Sequence, residues 1–368
     1  MDDSRSIAGD MSPRHGVGFP GGCERFCPPR CHVPPSLPMP TMIRTSLTVT
    51  ETIVEGLAAL CVDTGPLALT VIPALGAKIA SLRDTRSGRE WLWRHPRLPY
   101  RRLPHGSSYV READTGGWDE CFPSVSACAY PAPPWAGAPI QDHGELWSQP
   151  AELRVERTGD GVTLEATWRG VALPYRFSRA MHLAAGSARM ALTYHVASLA
   201  DAPMPFIWSA HPLIAIEPAM ALHVPPDARF HCELARPDGL LPARSGLPFP
   251  PPATLHGAPL NLARLPGPEA AVAIKLWSEP LAEGWARIAA SDGALHLRWD
   301  VAELPQLALW LNLGNDAADG GSPYYNLGLE PCIGAQDSLA EAVMVYRRHA
   351  TLAARGSKAW RLEVELEQ

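Results

Sequence analysis

From residue 45 onward the commonest spacing between apolar positions is two, the period of a strand with one face packed and the other solvated. Leu153 and Val155 alternate with polar residues, Gly159-Asp160-Gly161 turns the chain, and Val162, Leu164, Ala166 and Trp168 alternate back. Met181 and Leu183 run into Gly186-Ser187, from which Met190, Leu192, Tyr194 and Val196 return. Ala286 to Ala290 and the run Leu295, Leu297, Trp299 flank Ser291-Asp292-Gly293 in the same way. From Ala359 the C-terminal run sets Trp360, Leu362, Val364 and Leu366 against Arg361, Glu363, Glu365 and Glu367. Turn residues between alternating runs predict hairpins, and hairpins of this kind predict an all-β chain folded as a large antiparallel β-sandwich. One short helix is expected within Asp337 to Arg347, and Pro242 to Pro259 reads as an irregular surface connection without strands.

Residues 1–40 are different material, with 8 Pro, 5 Gly and no apolar period. Such a segment cannot bury enough surface to offset its ordering entropy, so 1–41 reads as a disordered tail and 42–368 as the sandwich domain. A start at Met39 or Met42 is an alternative, since the strand-like run Thr45 to Thr50 follows directly. Cys23, Cys27 and Cys31, with His32, invite a metal reading. Zinc knuckles, however, pair their ligands in two separated halves, and a second half is missing, so no metal is expected. The other five cysteines are scattered, which fits free thiols in a reducing cytoplasm better than a disulfide scaffold.

Of the 368 residues 46% are hydrophobic, enough for a sizeable core, and the formal net charge is −6. Mild acidity excludes a bulk electrostatic draw to nucleic acid or to an anionic membrane surface. No apolar stretch reaches the roughly 18–20 residues of a membrane span, and no apolar signal-peptide core is seen near the N-terminus. A cytoplasmic monomer or homodimer is the expectation. The basic residues are 29 Arg and only 3 Lys. That imbalance reads as codon bias and receives no functional weight.

Nucleotide, zinc-protease and serine-hydrolase templates fail: there is no Gly-x-Gly-x-x-Gly, P-loop, His-Glu-x-x-His or Gly-x-Ser-x-Gly. Polar residues crowd among Gly, Pro and aromatics in four other places. These are Gly116-Gly117-Trp118-Asp119-Glu120-Cys121-Phe122-Pro123, Gln141-Asp142-His143-Gly144-Glu145-Leu146-Trp147, Trp208-Ser209-Ala210-His211-Pro212-Leu213 and Gly328-Leu329-Glu330-Pro331-Cys332. Singly, His143 reads as an exposed turn residue and His211 as a hydrogen-bonded core histidine. Glu330 lies in the apolar run Tyr325 to Ile333, where a bare carboxylate is very costly. Together, two histidines and a glutamate among apolar residues need one another or a polar ligand.

The order and spacing of these four segments resemble the aldose 1-epimerase (galactose mutarotase-like) superfamily, over about residues 45–368. The resemblance implies a β-supersandwich with a sugar cleft, and an isomerase that interconverts the α and β anomers of a free monosaccharide without a cofactor. It implies Glu330 as general base on the anomeric hydroxyl, His211 as the acid that protonates the ring oxygen, and His143 as a sugar-binding partner of that acid. Two positions depart from the family pattern. Its sugar-binding arginine would fall near Trp118, where Trp118-Asp119 stand instead, leaving Arg111 as a substitute. Its sugar-gripping aspartate has no match, and Lys275 lies in that neighbourhood. Substrate-binding candidates are therefore His143, Asp119, Trp118, Arg111 and Lys275. Trp118, Trp147 and Trp208 are candidate faces for sugar C–H groups, with core packing as the commoner role. Burial of a glutamate raises its pKa, and a histidine titrates near neutrality, so the pair suits acid–base chemistry. The alternatives are a non-catalytic sugar-binding or sensing module on the same fold, or an epimerase-like enzyme for an unusual ketose, sugar acid or phosphosugar.

Overall fold

The computed structural model describes residues 47–242 and 246–368. The expected tail, with Cys23, Cys27, Cys31 and His32, lies outside the described residues, as do Thr45 and Ser46.

Each predicted hairpin closes where its turn residues stand. Glu152–Thr158 pairs with Gly161–Arg169, Tyr175–Ala184 with Arg189–Ser198, and Trp285–Ala290 with Gly293–Trp299, all antiparallel. Gly159 and Gly186 take left-handed φ of 57° and 71°, which glycine adopts without a steric penalty. Ser357–Glu367 zips between Arg189–Ser198 and Gly293–Trp299 and joins the hairpins into one eight-stranded sheet. Along most of these strands apolar side chains are buried and their neighbours are partly or fully exposed, as in Tyr175, Phe177, Met181 and Leu183, whereas on the edge strand Glu152–Thr158 Leu153 is half-buried and Val155 exposed.

Five strands carry the site and lie side by side in a second, eleven-stranded sheet: β1 (Trp118–Cys121), β2 (Trp208–Ala215), β3 (Val272–Ser278), β4 (Gln306–Leu313) and β5 (Tyr325–Ile333). Their spatial order is β1-β2-β5-β4-β3, with Lys78–Asp84 beside β1 and Arg229–Arg236 beside β3. Nearly every residue of these five strands is buried, because one face packs on the other sheet and the opposite face is covered by loops. That is why they read as continuous apolar runs rather than alternations.

The two sheets meet in an aromatic core. Trp208 packs on Tyr194 and Trp360 with ring centroids 4.7 and 5.0 Å away, and Phe122 packs on Phe177 at 5.1 Å. Each such fully buried ring contributes on the order of 1.5–3 kcal/mol through the area it removes from water. Trp118 belongs to this core and is fully buried, so the expectation that it binds sugar is corrected. The reason is strand geometry: adjacent residues face opposite sides, and Asp119 and Cys121 take the other one. Trp208 likewise faces the core, and Trp147 is buried against Tyr109.

Two smaller expectations are also revised. Pro242 to Pro259 holds three short strands, Leu247–Pro248, Ala253–Leu255 and Ala258–Leu260, the first of which ends the eleven-stranded sheet. Prolines sit there at the sheet edge or in minor two-stranded pairs, where a missing N–H costs little. The expected helix is a single turn, Leu339–Glu341, capped by Ser338 and continued by a π-helical turn, Ala342–Tyr346. Among the described residues no helix is long and apolar enough to cross a membrane.

Candidate active site

On the loop-covered face of β1, β2 and β5, register decides which residues meet. Pairing of β2 with β1 sets His211 opposite Asp119 and Ser209 opposite Cys121. Pairing of β2 with β5 sets Ser209 opposite Cys332 and Leu213 opposite Gly328, which leaves His211 opposite Glu330. Directly opposed residues of antiparallel strands have Cα atoms about 4.5–5.5 Å apart. Two residues 119 positions apart in sequence are thus neighbours across one strand gap.

Glu330 is fully buried. Its Oε2 accepts a hydrogen bond from Lys275 Nζ at 2.7 Å and one from Ser209 Oγ at 3.4 Å, while Oε1 has no protein partner. Gly328 makes room for it, since a Cβ there would lie 2.5 Å from Oε1 and 3.0 Å from the Trp310 side chain. Burial alone would lower the Lys275 pKa. The Glu330 and Asp337 carboxylates override that and hold the ammonium above its ordinary value. Lys275 thus keeps Glu330 supplied with a countercharge, the condition for a carboxylate in this setting.

His211 is 6% exposed and its Nδ1 has no partner. Burial, then nearby positive charge including Lys275 and Lys78, holds its pKa well below the usual histidine value. The imidazole is neutral at pH 7, in contrast to the readily protonated histidine expected from sequence. His143 arrives from the turn Asp142-His143-Gly144, in which His143 and Gly144 both take left-handed φ, 58° and 72°. A side chain at Gly144 would strike the Phe122 backbone, so the turn is clamped against the end of β1. His143 Nδ1 lies 2.8 Å from Asp142 Oδ1. A carboxylate only accepts, so Nδ1 carries the proton and Nε2 presents a lone pair. Burial would raise Asp142, but the His143 hydrogen bond and charge together with backbone N–H groups of Val110 and Tyr109 outweigh it and hold the carboxyl below its usual value. The His143 ring stacks on Tyr109 at 4.1 Å and meets His211 edge-on at 4.9 Å.

Asp119 sits behind this layer rather than in contact with the cavity. Its Oδ2 accepts from Tyr109 OH at 2.8 Å and pairs with the buried Lys78, so it fixes the ring on which His143 rests. Arg111 is exposed on the short helix Tyr109–Glu112 and does not line the cavity; as a binding residue it is corrected. The helix spends its inward positions on Tyr109 and Ala113, which turns Arg111 to solvent.

Above these groups lies a cavity of about 510 Å³ lined by His143, His211, Lys275 and Glu330, together with residues not singled out from sequence. Trp310 is the tryptophan among them, half-buried and offering the apolar surface expected of Trp118, Trp147 or Trp208. Asn326 Oδ1 and Asp337 Oδ1 are buried atoms without hydrogen-bond partners. Glu233 enters through a bulge in Arg229–Arg236, where the register shifts between Cys232 and Leu234. Its side chain stays open to solvent, and partial desolvation by its neighbours, then the Asp337 carboxylate, raises its pKa. One signal could have found part of this set: of three lysines in an arginine-rich chain, Lys78 and Lys275 are both buried against site carboxylates.

No protein-family model matches the chain, and no curated protein matches it in sequence. Solved structures do match. A galactose mutarotase-like protein from Clostridium acetobutylicum aligns with a TM-score of 0.61 at 14% identity, covering 88% of this chain and 99% of that one. A candidate aldose 1-epimerase from Klebsiella pneumoniae subsp. pneumoniae gives 0.60 at 16% identity, covering 88% and 84%. A galactose mutarotase-like protein from Lactobacillus casei gives 0.53 at 16%, covering 84% and 100%. The chain has the galactose mutarotase-like fold. Identity this low speaks for the fold alone, and activity has to be argued from the site. In this mutarotase-like sandwich the site is one cavity with four buried polar atoms that lack a hydrogen-bond partner, on Glu330, His211, Asn326 and Asp337, the last lying 3.6 Å from the Lys275 ammonium. Buried polar groups are nearly always satisfied, so a ligand rich in hydroxyls is their natural complement.

Proposed function

We propose that the chain is a mutarotase-type isomerase acting on a neutral free sugar. The observation that carries the reading is the pairing of an unpartnered Glu330 Oε1 with an unpartnered His211 Nδ1 on directly opposed strand positions. Mutarotation needs little more. Glu330 Oε1 takes the proton of the anomeric hydroxyl as the bond from C1 to the ring oxygen breaks. The neutral His211 imidazole donates to the ring oxygen as charge gathers there, and His143 Nε2 accepts from a neighbouring hydroxyl. Rotation about the C1–C2 bond and reversal of the proton movements close the other anomer. Positioned groups of this kind contribute about 10²–10⁴-fold each. Trp310 supplies the apolar face for the sugar ring, and Lys275 stabilises the Glu330 carboxylate between turnovers.

Charge narrows the substrate. Five carboxylates line the cavity (Asp142, Glu233, Asp316, Glu330 and Asp337) against one ammonium, Lys275, among the described residues. A phosphosugar or sugar acid would meet net repulsion there, which removes support from two of the alternatives. A second reading, a sugar-binding module without catalysis, is favoured by the ion pair itself, because Lys275 Nζ at 2.7 Å already occupies one oxygen of Glu330. The deciding experiment is anomeric exchange measured by saturation-transfer NMR on a panel of free aldoses and ketoses. Acceleration by the wild type, lost in Glu330→Gln and His211→Asn, supports the isomerase. Sugar binding without acceleration would leave the binding module.

A further inference from the structure

Next to the proposed proton donor lies a set of ligands that sugar chemistry does not require. Cys121 Sγ and one ring nitrogen each of His143 and His211 all lie within 4.8 Å of one another. Cys121 is fully buried on β1, two positions along from Asp119, the residue opposite His211, and so on the same face of the sheet. Three features make this more than a chance cluster. The His211 Nδ1 atom is buried and has no partner. The Asp142 carboxylate holds His143 Nδ1, so Nε2 faces outward with its lone pair, the arrangement in which ligating histidines are oriented. The two nearby ammoniums are already neutralised, Lys78 by Asp119 and Lys275 by Glu330.

We propose that Cys121, His143 and His211 form a chelating site for a thiophilic divalent cation such as Zn²⁺, which on binding shuts down the sugar site. One thiolate and two imidazoles are a borderline-soft donor set, suited to zinc rather than to magnesium or calcium. Ligand bonds of about 2.3 Å to sulfur and about 2.0–2.1 Å to nitrogen require the three atoms to close by about 1 Å, within the range of small rotamer changes. A fourth position opens to the cavity, where water or a sugar hydroxyl completes the tetrahedron. Binding releases one proton per cation to solvent as the Cys121 S–H is replaced by the metal–sulfur bond. Both histidines are then withdrawn from the sugar. Only this inhibitory consequence rests on the mutarotase reading; the binding does not.

The test uses the full chain carrying Cys23→Ser, Cys27→Ser and Cys31→Ser, so that tail thiols do not contribute. Titration with Co²⁺ should give one equivalent bound, with a thiolate-to-cobalt charge-transfer band that Zn²⁺ displaces and Mg²⁺ does not. Cys121→Ser and Cys121→Ala should abolish the band, preserve anomeric exchange and raise the zinc concentration for half-inhibition at least about tenfold. Absence of stoichiometric binding, or a band that persists without Cys121, overturns the site. A band present while exchange of an active wild type ignores zinc overturns the inhibition. Cobalt binding by a chain that never accelerates exchange instead counts against the mutarotase reading and leaves the metal site standing.

Discussion

Glu120 and Glu330 are both buried glutamates paired with a cation, and they differ in one respect. Glu120 lies between the sheets, where Arg179 Nη1 donates to Oε1 at 2.9 Å, Tyr194 OH to Oε1 at 3.0 Å and Trp208 Nε1 to Oε2 at 3.1 Å. Both of its oxygens are satisfied by protein. Glu330, on the opposite face of the same sheet, has Lys275 and Ser209 on one oxygen and no protein partner on the other. Burial and ion pairing therefore do not mark a site by themselves. An oxygen left for a ligand does, because its desolvation is compensated only when something binds.

The comparison would break most visibly if the two glutamates failed to separate rate from stability. Glu330→Gln should lower anomeric exchange by about 10²–10⁴-fold, read by NMR line exchange, with a smaller loss of stability than Glu120→Ala because Asp337 still faces the Lys275 ammonium at 3.6 Å. Glu120→Ala should do the reverse. It strands Arg179, Tyr194 OH and Trp208 Nε1 in the core and costs about 3–5 kcal/mol, while the fraction still folded turns over at the wild-type rate. Equal losses of rate in both variants would show that the inter-sheet network also shapes the cavity.

pH sharpens the contrast. Burial outweighs the Arg179 pairing and pushes Glu120 up to about 7, above the 4.5 of an unperturbed glutamate. Between those values the folded chain keeps a proton that the unfolded chain has released. Stability from this group is therefore full at low pH and is lost as pH rises through about 7. Glu120→Gln should flatten that part of the stability profile, measured by urea unfolding between pH 4.5 and 7.5. For catalysis, burial lowers the His211 pKa and so favours the neutral imidazole near pH 7. The ratio kcat/KM should show no rise from pH 7.5 to 6.0, whereas an imidazolium donor would give close to a tenfold gain per pH unit.

Smaller effects test the supporting residues. Asp142→Ala removes the acceptor that orients His143 and should lower kcat about tenfold, with little change in unfolding midpoint. Arg111→Ala should leave KM unchanged and shift stability by no more than about 0.5 kcal/mol, as expected of an exposed side chain. A KM rise of tenfold in that variant would return Arg111 to the site.

Much of the architecture was legible because it depends on local pattern. Val162 to Trp168 and Trp360 to Leu366 have one wet face, so their alternation survives in the sequence and gives strand, face and turn together. His211 and Glu330 stood out because ionisable residues in apolar runs need an explanation. Trp118 and Asp119 were harder, since both are buried and β1, covered on both faces, shows no alternation from which the inward residue can be read. Lys78 was passed over because its role depends on Asp119, 41 positions away. Glu233 could not be placed because a bulge, not the strand period, turns it into the cavity.

The sequence by itself determined the strand class, the hairpin partners and which polar residues were out of place, since these follow from spacing along a few consecutive residues. Tertiary structure alone decided that His211 faces Glu330, that Lys275 rather than Arg111 supplies the site's cation, and that Trp310 rather than Trp118 lines the cavity. Those outcomes depend on register between strands distant in the chain. A shift of one residue in register would turn every one of these side chains to the other face of the sheet.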